Sequence, residues 1–575
     1  MSKKYRIAAL SLLMVIALGL SACGQAPAAP ATTAAAATTA AATTAAPATT
    51  TKAATTTAAT TTAPLTAAVT TLAPTTAPAA AEYVFPKGKK FTYFLPLSSQ
   101  AAAIIASFNE NEAYKLKAEI TGVEVEFISP PSGQWSESFK LLIASKDLPD
   151  MIEEGSGSIS DYPGGADKAV ADGVYVDITK LLPKNAPYYN SLMENDPELR
   201  NECTTDGGII PAFFCVHTAK ETAWSGPVLR YDWLNALKLD IPETIADWEN
   251  VLTKFKEEFD CEAPLQLNDL GTFDQSVFSG TFDASNGFMQ IDKKVYFGPA
   301  LEGFREYLML MNDWYKKGLI DKEFYTRDGQ SRDAMATTGR SGAWVGDYNN
   351  RLNTYIRMVR NTGDEAYDLE SAPYPVRETG ALCHFRQMNF KNKFSGAFIT
   401  TSCKDVETAM RWMDWNYSEE GMYLWNYGIK DKTYEMRDGF PFYTDWYNNN
   451  PDGYAPGHLS WKYRTSYGPY LRLFTQQRVH ASAQDPKIFT SYTVWEANGD
   501  NAYVLPLITY TADESSERSR IMTEVNTYKD PMIVKFIIGE EPLSNFGAFV
   551  SQMEKLGLKR AAEITQAAVD RYYSR

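Results

Sequence analysis

The chain has 575 residues, 55 basic and 70 acidic side chains, a net charge of −15 and four histidines. It carries no basic stripe, so nucleic acid is excluded as a natural partner. The scattered His217, His384, His458 and His480 form no zinc constellation, and no cofactor or metal ion is expected.

Lys3, Lys4 and Arg6 precede an apolar run over residues 7–20, a basic head and short core that read as a secretory signal over residues 1–22. That run is too short to span a bilayer comfortably, and no later one reaches about 18 residues. Leu20-Ser21-Ala22-Cys23 closes it and resembles the bacterial lipobox. The resemblance implies removal of the signal and acylation of Cys23, with two or three acyl chains anchoring the protein in the lipid bilayer at the outer face of the cell membrane. Loss of Lys3, Lys4 and Arg6 takes the net charge to about −18.

Residues 23–82 follow as a linker of Ala, Thr and Pro with Lys52 as its only basic residue. Such a stretch buries too little apolar surface to offset its ordering entropy and is expected to be disordered. As a flexible coil it separates its ends by roughly 40 Å, and as extended polyproline II by about 180 Å. It suits a spacer across a cell wall, and its Thr/Pro density permits O-glycosylation.

Residues 83–575 are long enough for two lobes with separate cores. Strands are expected at 91–95, at 123–128 and within 147–153, with helices at 101–119 and 135–145 between them. That alternation predicts a parallel sheet with ligand groups beyond the carboxyl ends of its strands. Ser98, Ser99, Asp150, Glu153 and Glu154 are thereby placed near a crevice. A loop at 155–166 leads into helices up to about 200. A strand and a helix (246–258) fill 226–259, and a hairpin at 288–297 turns at Asp292-Lys293-Lys294. A helix spans 301–317, a buried strand starts at 341, and a strand at 396–401 precedes a Trp- and Met-rich helix at 405–425. Two helices close the chain, at 548–556 and 559–573. Cys203, Cys215, Cys261, Cys383 and Cys403 are odd in number and show no C-x-x-C spacing, so no metal site or disulfide framework is expected, although one bridge, Cys203 with Cys215 being nearest, stays open.

Four blocks share a resemblance: GPVLRYDWLNALKLDIPETIADWENVLTKFK (226–256), MATTGRSGAW (335–344), NYSEEGMYLWNYGIKDKTYEMRDGFPFYT (416–444) and FIIGEEPLSNFGAFVSQMEKLGLKRAAEITQAAVDRY (536–572). Together, and behind a lipobox, they resemble the extracellular solute-binding proteins of family 1, lipoprotein receptors of ABC sugar importers. The resemblance implies an α/β, two-lobed periplasmic-binding-protein-like fold of type II, with hinged lobes that each hold a mainly parallel sheet. The first lobe is expected at 83–225 plus about 390–435, and the second at 226–389 plus about 436–575. By analogy with maltose receptors the chain should cross near 218–230, 376–396 and 430–445. The implied partners are a carbohydrate ligand and ABC permease subunits.

A sugar site needs aromatic plates for C–H faces and planar polar groups for hydroxyl pairs. Trp224, Trp344, Trp425, Trp446 and Trp461 stand in polar or Gly/Pro-rich settings, as does Tyr348; packing is the alternative for each. Trp412 and Trp415 read as core. The likeness to maltose receptors nominates Asp161 and Tyr162. Asp150, Glu221, Arg230 and Asp347 complete the polar candidates, with a structural brace as the equal alternative for Arg230. The negative charge favours a neutral or cationic solute. Asn449, Asn450 and Asp452 lack EF-hand spacing. The rival classes are a peptide receptor on the same fold and a glycan-active enzyme, which chance carboxylate pairs among 70 acidic residues do not support.

Overall fold

Alternating apolar residues in KKFTYF and VEVEFI, and an apolar run leading into Glu153 and Glu154, become β1 (Lys89–Phe94), β2 (Val123–Ile128) and β3 (Met151–Glu154). The computed structural model describes Tyr83 and residues 85–575, apart from 155–158, 218–222, 268–275, 389, 438, 452, 453, 455, 466, 467 and 474–485. The signal, Cys23, the linker, Glu221 and Asp452 therefore lie outside the described residues.

The remaining strands are β4 (Phe213–His217), β5 (Ser225–Arg230), β6 (Ala263–Leu265), β7 (Phe288–Ile291), β8 (Lys294–Phe297), β9 (Ser341–Asp347), β10 (Leu369–Ser371), β11 (Asn392–Ile399), β12 (Tyr434–Arg437), β13 (Phe440–Tyr443) and β14 (Leu471–Arg472). One sheet has the order β14-β4-β11-β3-β1-β2 and another β10-β5-β9-β6, with β7-β8 and β12-β13 as hairpins. β1 pairs parallel with β2 and β3, while β11 runs antiparallel to both β3 and β4. The second sheet departs from the expected parallel order, since β5 is antiparallel to β9 and β10 and only β6–β9 is parallel. The reason is topological. β5 arrives directly from the other sheet rather than over a helical crossover, and without that crossover parallel pairing is not imposed.

Two hydrophobic cores result. The first gathers Tyr93, Phe127, Ile152, Phe214, Trp412 and Trp425, and the second Trp248, Phe255, Trp314, Trp344, Trp495 and Phe536. Trp412 and Trp415 pack in the first core, as their helical spacing implies. The helix expected over 101–119 is broken into Ser99–Ala102, a 3-10 turn at Phe108–Glu110 and Glu112–Thr121. Asn111 breaks it: its side chain accepts from the Ala113 and Tyr114 amides and restarts the helix as an N-cap.

The lobe boundary also moves. Trp461, Tyr470 and Leu471 belong to the first core, and Ile104 packs with Tyr447, Leu459 and Tyr463, so residues expected in the second lobe after 436 stay on the first. Trp495, on the helix Pro486–Glu496, lies in the second core, which places the third crossing between 473 and 486 rather than at 430–445. Gly226 lets that helix close on β5, since a Cβ there would stand 2.5 Å from the Trp495 ring. A polar clasp ties the lobes as well: Asp206 receives Thr509 Oγ1 at 2.8 Å and Arg571 Nε at 2.9 Å, and pairs with Arg575.

Candidate functional site

Strand direction decides where the site lies. β3 and β4 are both antiparallel to β11, so they run the same way, and β4 leads at His217 into the first crossing. β9 ends at Asp347 opposite Ser225, where β5 begins after that crossing, and β6 runs with β9. Both sheets thus present carboxyl ends at the crossing, the place where α/β sheets bind ligands.

On the first lobe this end is built from Phe94, Trp135, Glu154, Asp161, Tyr162 and Tyr175. The Trp135 ring lies 5.2 Å from Phe94 and 5.5 Å from Phe139, and its indole nitrogen donates to Asp161 Oδ2 at 3.1 Å. The Asp161 amide and the Tyr175 hydroxyl both donate to Glu154. Tyr162 donates to Asp172 at 2.7 Å, and Lys168 holds the same carboxylate at 2.8 Å. Burial pushes the Glu154 carboxyl up to about 7 against the pull of Tyr175, and it raises Asp161 against the pull of Trp135. Glu153 is buried on the opposite face, where Tyr93 donates to it at 2.6 Å, and burial takes it up to about 7 as well.

On the second lobe Trp224, Asp347 and Tyr348 come together. The Trp224 amide donates to Gln387 Oε1 at 2.7 Å, and its carbonyl accepts from the Tyr348 amide at 3.3 Å. Trp224, Asp347 and Tyr348 are all half-buried. Trp344 sits behind them, only 2% exposed, with its indole nitrogen donating to the Arg351 carbonyl at 3.1 Å. A plate that contacts sugar must show a face, and Trp344 spends its faces on the core, so its substitution strikes the fold first. Gly346 permits this packing, because a Cβ there would stand 2.8 Å from Arg351 Cβ. Beside it a narrow crevice is lined by Gln266, Arg332, Asp333, Trp344, Arg351 and Tyr355.

Other candidates are occupied elsewhere. Asp150 lies before the amino end of β3, where it accepts from Thr92 N at 2.8 Å and Oγ1 at 3.0 Å, bracing β1 instead of facing the crossing. Arg230 is buried, paired with Asp232 at 2.5 Å and stacked on Trp233 and Tyr367, which is the brace reading. Trp425 is core, its indole nitrogen donating to Asn416 Oδ1 at 2.8 Å, and Trp461 packs toward Phe108. Trp446 is half-buried against Tyr463 on the first-lobe hairpin region. Trp135 was not among the sequence candidates, although it follows Pro130-Pro131-Ser132-Gly133, the same punctuation that marked the others. Cys203, Cys215, Cys261, Cys383 and Cys403 are all free and buried. Among the described residues no group of His, Cys, Asp and Glu is arranged for a metal ion, and no helix is long and apolar enough to cross a membrane.

Comparison with known proteins agrees with this architecture. The chain is 24% identical over 488 residues to the fructooligosaccharide ABC transporter substrate-binding protein FusA of Streptococcus pneumoniae serotype 4, covering 79% of this chain and 85% of that one. It is 21% identical over 472 residues to the polygalacturonan/rhamnogalacturonan-binding protein YtcQ of Bacillus subtilis, covering 78% and 86%. The crystal structure of the alginate-binding protein AlgQ2 superposes with a TM-score of 0.66 at 19% identity, over 85% of this chain and 99% of that one, which establishes the two-lobed fold. The family model for bacterial extracellular solute-binding proteins matches residues 96–423, more than half of the chain, and the protein belongs to that family.

Proposed function

We infer that the protein is a lipid-anchored receptor that captures an oligosaccharide between its lobes and delivers it to an ABC permease. The observation that carries this reading is the pairing of an aromatic side chain with planar polar groups at each crossing-facing sheet end: Trp135 with Asp161 on one lobe, Trp224 with Asp347 and Tyr348 on the other. That is the chemistry sugar rings require. The names of FusA and YtcQ support a glycan as cargo. Glu153 and Glu154, the buried carboxyls nearest the site, are each held by a tyrosine, an arrangement that favours binding over hydrolysis.

Solute held by one lobe adds contacts from the other, so it binds the closed arrangement better and shifts the population toward it. The permease would read that closed form, and acylated Cys23 with its linker would keep the receptor at the membrane. The test is a calorimetric and thermal-shift screen of the full-length chain against neutral and acidic oligosaccharides and short peptides. A ligand at 100 times its Kd adds about 2.7 kcal/mol to native stability, a readable shift. Binding of one glycan class without its cleavage is the expected result. A response to peptides alone would overturn the cargo, and shortened glycan products would overturn the receptor.

A further inference from the structure

Arg332 occupies the first turn of the helix Gly329–Thr337, which returns into β9 through residues 338–340. Its side chain therefore lies at the carboxyl end of that strand, in the crevice with Gln266, Trp344 and Val345. The acceptors around it are taken. The Asp333 carboxylate receives the Tyr355 hydroxyl and stands 3.4 Å from Arg351 Nε. Asp328 caps its own helix through the Ser331 amide at 2.8 Å. Neighbouring Arg327 is fully engaged by Asp321 and Glu262.

Arg332 itself is left with one partner. Its Nη1 donates to the Arg327 carbonyl at 2.8 Å, whereas its Nε is buried with no acceptor among the described residues. Nothing in the crevice needs that donor edge to remain open for the sake of the fold, and interior polar groups are rarely left unsatisfied. The Nε side of a guanidinium presents parallel donors that match the two oxygens of a carboxylate. The free edge faces the ligand end of the second sheet.

We propose that this crevice is a carboxylate subsite: the captured glycan carries uronic-acid units, and Arg332 takes one of their carboxylates side-on, with the Gln266 amide positioning it. The assignment rests on the glycan-receptor reading above and narrows it to acidic sugars. It reverses the preference for neutral solutes drawn from a net charge of −15, since charge at a distance is screened within about 8 Å while the guanidinium acts in contact. It also orients the ligand, because Glu154 and Asp161 on the first lobe offer a carboxylate nothing and a hydroxyl an acceptor. Gln266 supports Arg332 from behind, donating to its carbonyl at 3.1 Å.

The test is calorimetry on the full-length chain with trimers of galacturonate, mannuronate and glucuronate, their methyl esters, and a neutral fructose trimer. A free-acid trimer should bind at least tenfold more tightly than its ester. Arg332→Met should weaken the acid at least tenfold and leave the ester unchanged, and Arg332→Lys should fall between them. Should the Met variant not fold, the Lys variant carries the comparison. Equal affinity for acid and ester, or unchanged acid affinity in a folded Arg332→Met, overturns the subsite. Binding of neutral glycan alone overturns the subsite and leaves the receptor standing. Silence with every glycan removes both.

Discussion

At the first-lobe end of the site the polar groups satisfy one another: Tyr175 and the Asp161 amide fill Glu154, Trp135 fills Asp161, and Lys168 and Tyr162 fill Asp172. At the second-lobe end Trp344, Asp333 and Arg351 are equally engaged, yet Arg332 keeps a buried donor with nothing to receive it. The first end is complete without solute and the second is complete only with it. The difference separates a preformed wall, whose rigidity positions hydroxyl contacts, from a wall whose last interaction the ligand supplies.

The strongest way to break this contrast is to remove the support of the second end. Trp344→Ala should cost about 3–5 kcal/mol of stability, the usual price of emptying a buried aromatic site, and denaturant melts would show it before any binding assay does. A loss below about 1 kcal/mol would mean the indole is not core. Next comes proton linkage at the first end. Glu153 and Glu154 have folded-state values raised from 4.5 to about 7, so each binds a proton more readily in the native state. Their stabilisation is fully present below pH 4.5 and is lost as pH rises through 7, up to about 3 kcal/mol per group. Melting across pH 4–8 should show that decline, and Glu154→Gln should flatten its own share of it.

Trp135→Ala sharpens the comparison at lower cost. The ring is half-buried, so the variant should stay folded while glycan affinity falls about tenfold, or ~1.4 kcal/mol, by titration calorimetry. Unchanged affinity would move the aromatic plate elsewhere. The smallest effect belongs to Lys168→Ala, which deletes a half-exposed i,i+4 pair with Asp172 and should change stability by less than about 1 kcal/mol.

Much of the first sheet was legible because its strands alternate in polarity and its helices repeat on one face. The hairpin at 288–297 and the helix at Glu302–Lys317 follow from the same local rules. What local pattern could not deliver was strand direction relative to partners hundreds of residues away. Asp150 and Glu154 are four residues apart, and only the pairing of β3 with β11 shows which one meets the crossing. Arg230 looked equivocal because Tyr367, on which it stacks, lies far along the chain. The 27-residue helix Ala512–Ile538 escaped detection because Pro531 interrupts it, although the Thr511–Glu514 capping box announced its start. Arg332 had no sequence signal at all, since an unmet donor is defined by its surroundings.

The five cysteines of the body turn into instruments once their placement is known. Cys203, Cys215 and Cys403 are sealed in one core and Cys261 and Cys383 in the other, none above 6% exposed. A thiol reagent therefore reaches them only when the surrounding core opens. Labelling rates resolved by peptide would time the loosening of each lobe separately, under native conditions and without introducing a probe. A bound solute that bridges the lobes should slow both clocks together, whereas one held by a single lobe should slow only its own.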